Sequence, residues 1–138
     1  MHSKLALSLE DARLIAAAAH RKAMENHWAV VITIVDDGGN LLYLERMDNV
    51  QTGSITVSQE KARTALLFRR PTAAIESAIA GGRMVMLSLP GATPIEGGLP
   101  LVVDGHYLGA IGISGVQSQQ DGVIAAAGVE ALAGLTRD

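Results

Sequence analysis

The sequence contains no cysteine, and only 3% of it is aromatic: Trp28, Tyr43, Phe68 and Tyr107. The first absence excludes disulfides, thiolate catalysis and cysteine-held metals. The second means that the 49% of hydrophobic residues is mostly Ala, Leu, Ile, Val and Met. Small apolar side chains let backbones approach closely but offer less area to bury, at about 25 cal/mol per Å². Apolar contact between subunits is the natural supplement, so the composition predicts a homo-oligomer. An excess of positive charge is also missing. With a net charge of −3 and basic residues scattered apart from Arg69–Arg70, neither nucleic acid nor an anionic membrane is a predicted partner. No apolar run reaches the length of a signal peptide core or a membrane span, which makes cytoplasmic the expected location. A Walker loop, a dinucleotide motif and a Ser/His/Asp signature are lacking too. No two of the four histidines have the i, i+4 spacing of a helical zinc site. The 138 residues fit one domain, 1–138.

What is there reads as alternating helices and hairpins. Ser8 is a good N-cap, and Asp11 supplies the negative charge that a helix N-terminus favours. Leu9, Ala12, Ala16, Ala19 and Ala23 follow at helical spacing, predicting a helix over 8–26 with a flat, Ala-lined face. Trp28–Val35 and Leu41–Arg46 are strand-like, and Asp36-Asp37-Gly38-Gly39-Asn40 between them is a strong hairpin signal. A second helix runs from Ser54 to Phe68, and a short third from Thr72 to Ala80, where Gly81-Gly82 stops it. Met84–Leu89 is ambiguous between strand and loop. Leu99–Val103 and Tyr107–Ser114 flank the tight turn Asp104-Gly105, and Gln119–Leu135 forms the last helix. Two hairpins separated by helices predict an antiparallel α/β sandwich.

Three segments could carry chemistry. In Pro94-Ile95-Glu96-Gly97-Gly98-Leu99-Pro100, the paired glycines leave backbone N–H groups open to an anion, and Glu96 is a candidate acid or base. The alternative is a plain loop with a solvated glutamate. In Glu45-Arg46-Met47-Asp48, Arg46 could clamp a carboxylate; the alternative is an ion pair with Asp48 or Glu60. In Glu60-Lys61-Ala62-Arg63-Thr64-Ala65, Lys61 could project into a shallow pocket, the alternative being an exposed helical face. Among the histidines, His20 lies one residue past the Ala stripe, where a lone imidazole could serve as an axial haem ligand. The glycines in Gly109-Ala110-Ile111-Gly112-Ile113-Ser114-Gly115 belong to a strand and serve close helix packing, not phosphate binding.

Val35 to Leu41, Arg46-Met47-Asp48, Lys61-Ala62-Arg63-Thr64-Ala65, Gly97-Gly98-Leu99-Pro100-Leu101, and Asp104-Gly105 with Leu108 to Gly115 together resemble the GlcG/HbpS-like family. This is the haem-degrading domain family, which includes the C-terminal domain of PduO-type proteins. The resemblance runs in order over nearly the whole chain. It implies a profilin/PAS-like α/β sandwich, with a five-stranded antiparallel sheet flanked by helices. It also implies oligomers from dimer to octamer, and haem as a ligand in some members. Arg46, Met47, Asp48, Lys61, Gly97 and Gly98 match the family pattern and are expected around its pocket. A first-helix histidine ligates haem in some relatives, and His20 is the nearest counterpart.

Two functions are therefore expected. The first is a small-ligand-binding protein, with haem the leading candidate. The alternative is a small cofactor-independent enzyme, an isomerase, tautomerase, lyase or hydrolase. It would act on a carboxylate-bearing catabolic metabolite, with Glu96 as acid/base and Arg46 and Lys61 holding the anion. Both require the stretches around residues 46, 61 and 97–98 to share one cavity.

Overall fold

In the computed structural model, residues 1–135 are described. The element order is α1 (Leu9–Glu25), β1 (Val31–Asp36), β2 (Leu41–Arg46), α2 (Ser54–Leu67), α3 (Thr72–Ala80), a 3-10 turn (Met84–Ser88), β3 (Gly98–Val103), β4 (His106–Ser114) and α4 (Ser118–Leu135). The strands form one antiparallel sheet in the order β2-β1-β4-β3. Each hairpin thus contributes one outer and one inner strand, and β1 and β4 meet at the centre. Helix α2 packs on one face of the sheet; α1 and α4 pack on each other and cover the opposite face.

Local chemistry explains these elements. At the start of α1 the Ser8 hydroxyl accepts the Asp11 N–H at 3.0 Å, and the Asp11 carboxylate accepts the Ser8 N–H at 2.9 Å. Two orphan donors of the first turn are satisfied reciprocally. Ala12, Ile15, Ala16, Ala19 and Ala23 are buried completely, while Leu9, first in the predicted stripe, remains 43% exposed before the core is reached. In the first hairpin, Asp36 Oδ1 accepts the N–H groups of Gly38 and Asn40, both at 2.9 Å, and Gly39 takes a φ of 80°. The Asp104-Gly105 turn has φ of 49° and 77°, the paired positive values that match strand twist in a two-residue hairpin.

The core is layered. Ile32, Ile34, Ile111 and Ile113 pack against the buried face of α1 and against Ile124, Ala125 and Leu132 of α4. The α2 side holds a smaller cluster of Val35, Ala62, Ala65, Leu66 and Ala110. There the packing is backbone against backbone. Gly98 and Gly112 are cross-strand partners. A Cβ on Gly112 would lie 2.0 Å from the Ser58 carbonyl oxygen, and one on Gly98 would lie 2.3 Å from that of Lys61. The two glycines make a bare patch on which α2 rests, as the glycine-rich strand predicts.

The expected five-stranded sheet is corrected to four strands. Met84–Leu89, which the sequence leaves open between strand and loop, folds as a 3-10 turn over Met84–Ser88, with Met86 N–H bonded to Arg83 O and Leu89 N–H to Met86 O. Its consecutive apolar residues do not alternate as a half-buried strand requires. Met84, Val85 and Leu87 are 58–63% exposed, so nothing holds them against the sheet. Strand β3 therefore remains an edge, carrying Pro100, a residue suited to edges because it lacks a ladder donor.

Candidate functional site

Where β1 begins and β2 ends, the surface opens into a cavity of about 520 Å³. Its walls come from His20 and Met24 of α1, His27-Trp28-Ala29 of the following connection, and Glu45-Arg46-Met47-Asp48 at the end of β2. The connection is shaped by a tight helix stop. His27 adopts a φ of 57°, and the Trp28 N–H turns back to Ala23 O at 2.9 Å. That six-to-one bond closes the end of α1 and directs the chain into β1.

Glu45 sits opposite Ile32 in the sheet, on the face that α1 covers. His20 Nδ1 lies 2.9 Å from Glu45 Oε2, with side-chain exposures of 42% and 24%. An ionised carboxylate only accepts, so Nδ1 is the donor in this contact; in the neutral imidazole that tautomer leaves the lone pair on Nε2. The Tyr43 hydroxyl donates to the other carboxylate oxygen at 3.5 Å. Burial first, and the Glu45 charge second, hold the Tyr43 phenol above its ordinary pKa. Arg46 is exposed and makes no ion pair among the described residues, so the expected alternative partners Asp48 and Glu60 do not engage it. Glu60 pairs with Arg63 instead, at 3.4 Å.

Lys61, Glu96, Gly97 and Gly98 are elsewhere: none of them lines the His20 cavity. Lys61 neither projects into a shallow pocket nor lies on an exposed face. It is 2% exposed, and its Nζ donates to Ile113 O at 2.9 Å and to Asp121 Oδ2 at 3.0 Å. Gly97, with a φ of 132°, leaves room for that ammonium, since a Cβ there would come within 2.8 Å of Nζ. Gly98 donates its N–H to Thr72 Oγ1 at 2.9 Å, so this donor is already used. Glu96 is half-buried, its carboxylate folded over Gly122 in the first turns of α4. Asp121 Oδ1 accepts the Val116 N–H at 3.2 Å. Burial raises the Asp121 carboxyl above its ordinary pKa; Lys61 opposes the rise, and the nearby Glu96 charge adds to it.

The structure thus brings Arg46, Met47 and Asp48 together with His20, and separately groups Lys61, Glu96 and Gly97 around Asp121. The single cavity expected to join residues 46, 61 and 97–98 is therefore corrected: within the chain only the His20–Arg46 group lines that hollow, and Glu96 and Lys61 do not join Arg46 there as the enzyme alternative needs. Sequence reasoning missed Asp121, a lone acid in the first turn of an otherwise Ala-rich helix. It quoted Glu45 without seeing its partner. Tyr43 and Glu45, two apart on one strand, share a face, and that alternation was the available signal. Among the described residues no group of three or more His, Asp or Glu side chains could hold a metal ion, and no helix is long and apolar enough to cross a membrane.

Comparison with known proteins identifies relatives of the chain and of its fold. Residues 7–130 match the family described as haem degrading protein HbpS-like. The chain is 46% identical over 114 residues to Protein GlcG of Escherichia coli K12, covering 83% of this chain and 85% of that one. It superposes on a double mutant of Streptomyces reticuli HbpS with a TM-score of 0.87 at 28% identity, covering 96% and 90% of the two chains. It also superposes on PduOC in complex with haem, with a TM-score of 0.82 at 30% identity, covering 92% and 95%.

Proposed function

The chain belongs to the HbpS-like family of haem degrading proteins, and from that membership we propose that it is a small-ligand-binding protein holding haem in the cavity beside His20. The observation that carries this reading is the His20–Glu45 contact at 2.9 Å. A histidine that ligates a metal characteristically gives its other ring N–H to a carboxylate, which fixes the ring and raises its basicity. Here Glu45 takes Nδ1, and Nε2 is the atom offered to iron.

The rest of the wall suits the same ligand. Met24, Trp28 and Met47 are apolar or polarisable surfaces for a flat macrocycle. Arg46 and His27 stand on the same wall, where cationic or hydrogen-bonding groups match the two carboxylates that haem carries. Asp48 lies beside them and limits how many anionic groups the rim accepts. The volume of about 520 Å³ falls within the roughly 300–1,000 Å³ usual for small-molecule sites. Haem, when bound, supplies a redox-active iron; the chain's own part is to ligate, orient and shield it. The structure of PduOC in complex with haem, which shares this fold, supports the reading.

A haemin titration of the purified protein tests it. A saturable shift of the Soret band is expected, and it should disappear in His20→Ala while the variant keeps its circular dichroism spectrum. No saturable shift, or a shift that His20→Ala leaves unchanged, overturns the assignment.

A further inference from the structure

A second cavity, of about 480 Å³, lies at the opposite end of the sheet, where β1 ends and β4 begins. We infer that it is a separate site for a small oxyanion-bearing molecule, a carboxylate or a phosphate, gripped by Arg69 and His106.

The argument starts with Arg69. It stands just past α2 with a φ of 51°, in the left-handed position that glycine fills without strain at a helix C-terminus. The Arg70 N–H closes that turn on Ala65 O at 3.2 Å. An arginine held in this conformation is costlier than a glycine, and the side chain shows what it serves. Its guanidinium carbon lies 4.9 Å from the centre of the Tyr107 ring, and the Tyr107 hydroxyl donates to the Arg69 carbonyl at 3.4 Å. Backbone and head group are both braced on one residue. Stacking on the ring leaves the edge of the guanidinium fork, with its N–H donors, free for a planar acceptor.

Charge accounting at this end of the molecule points the same way. Asp37 is taken by Lys4. The Asp36 carboxylate is occupied by the backbone N–H groups of Gly38 and Asn40. Arg69 makes no ion pair among the described residues, and His106 projects from the Asp104-Gly105 turn into the same cavity. Arg69 is thus a guanidinium without an ion-pair partner among the described residues, beside a cavity whose one lining carboxylate, Asp37, is held by Lys4. The C-terminus of α2 would disfavour an anion if its carbonyls were bare. They are largely engaged: Thr64, Ala65 and Leu66 accept the N–H groups of Phe68, Arg70 and Arg69. Leu67, 50% exposed on the same wall, provides an apolar surface for a short carbon body behind the anionic head.

The test is a titration of the nitrogen-15-labelled protein with inorganic phosphate and, in parallel, with butyrate, followed by amide and guanidinium resonances. Saturable shifts at Arg69, Gly105, His106 and Tyr107 with either probe are expected, and the probe that saturates tells which oxyanion the site prefers. Arg69→Gly should weaken that binding by about tenfold or more, the loss of one charge-assisted pair. The same variant should melt no lower than the parent, because glycine relieves the left-handed backbone. His106→Gln, an exposed turn substitution, should also weaken binding, whereas His20→Ala should leave it unchanged. Shifts that stay linear, that sodium chloride reproduces, or that survive Arg69→Gly overturn the proposal. Because the readout is the resonances of Arg69, Gly105, His106 and Tyr107, none of which lines the His20 cavity, failure here and failure of haem binding are separable.

Discussion

Lys61 Nζ and Asp121 Oδ2 stand 3.0 Å apart, with side-chain exposures of 2% and 3%. The pair ties α2 to α4 across the end of the sheet, because Nζ also reaches Ile113 O in β4. Removing one partner of a buried pair outright leaves the other without that acceptor, which even a protonated carboxyl still supplies, at a cost of about 3–5 kcal/mol. Asp121→Ala should therefore lose stability on that scale in urea unfolding. The double variant Lys61→Met with Asp121→Leu should recover much of it, since no charge is left stranded.

The same pair sets a pH dependence. Burial raises the Asp121 carboxyl above its ordinary pKa, so between the ordinary and the raised value the folded protein binds more protons than the unfolded chain. Stability contributed by Asp121 is then greatest at low pH and falls as pH rises through that window. Chemical unfolding from pH 3 to 7 should show this decline superimposed on the other carboxylates. The difference between the parent and Asp121→Asn isolates it: the variant's profile should lack that component.

Gly112→Ala is expected to be among the most damaging single-methyl additions in the molecule. The new Cβ would meet the Ser58 carbonyl oxygen at 2.0 Å and the Ala62 nitrogen at 2.6 Å, so α2 must lift. Overpacking of this kind costs about 1–3 kcal/mol and at times more. A lowered melting temperature should be accompanied by loss of the buried Thr33–Ser58 hydroxyl bond, 2.8 Å long. Gly134→Ala, where nothing lies within 4 Å, is the matching control and should be neutral or slightly stabilising.

At the proposed haem site, Glu45→Gln keeps the side-chain shape but removes the charge facing His20. Supporting carboxylates of this kind are worth about 10–100-fold in metal affinity. Haemin should therefore bind measurably more weakly to Glu45→Gln. Its Soret band should still shift, in contrast to His20→Ala.

Much of this architecture was legible because it is written in short-range chemistry. The Ser8–Asp11 capping pair, the Ala stripe of α1 and the two glycine-bearing turns each specify their element within a few residues. The absence of the fifth strand was harder to read: Met84–Leu89 is apolar enough for a strand, and only its lack of a partner and of alternation decides the matter. Lys61 was harder still. Helical spacing places it beside Thr64, yet its surroundings come from residues 52 and 60 positions further along the chain. The same distance effect separated Arg46 from Lys61. They belong to consecutive elements, but Arg46 stands exposed at the end of β2 beside the His20 cavity, while Lys61, at the middle of α2, is buried against Ile113 and Asp121.

The central place of β1 and β4 has a consequence for how the chain reaches this form. Each hairpin made alone would expose, on its inner strand, a full row of unpaired amide groups and half of its apolar surface. The row closes only when segments some eighty residues apart in the chain find one another, from Val31 with Ser114 through Asp36 with Gly109. Neither half is a self-sufficient unit, so acquisition of structure should be a single concerted event governed by that encounter. Two separately expressed halves should gain order only when mixed.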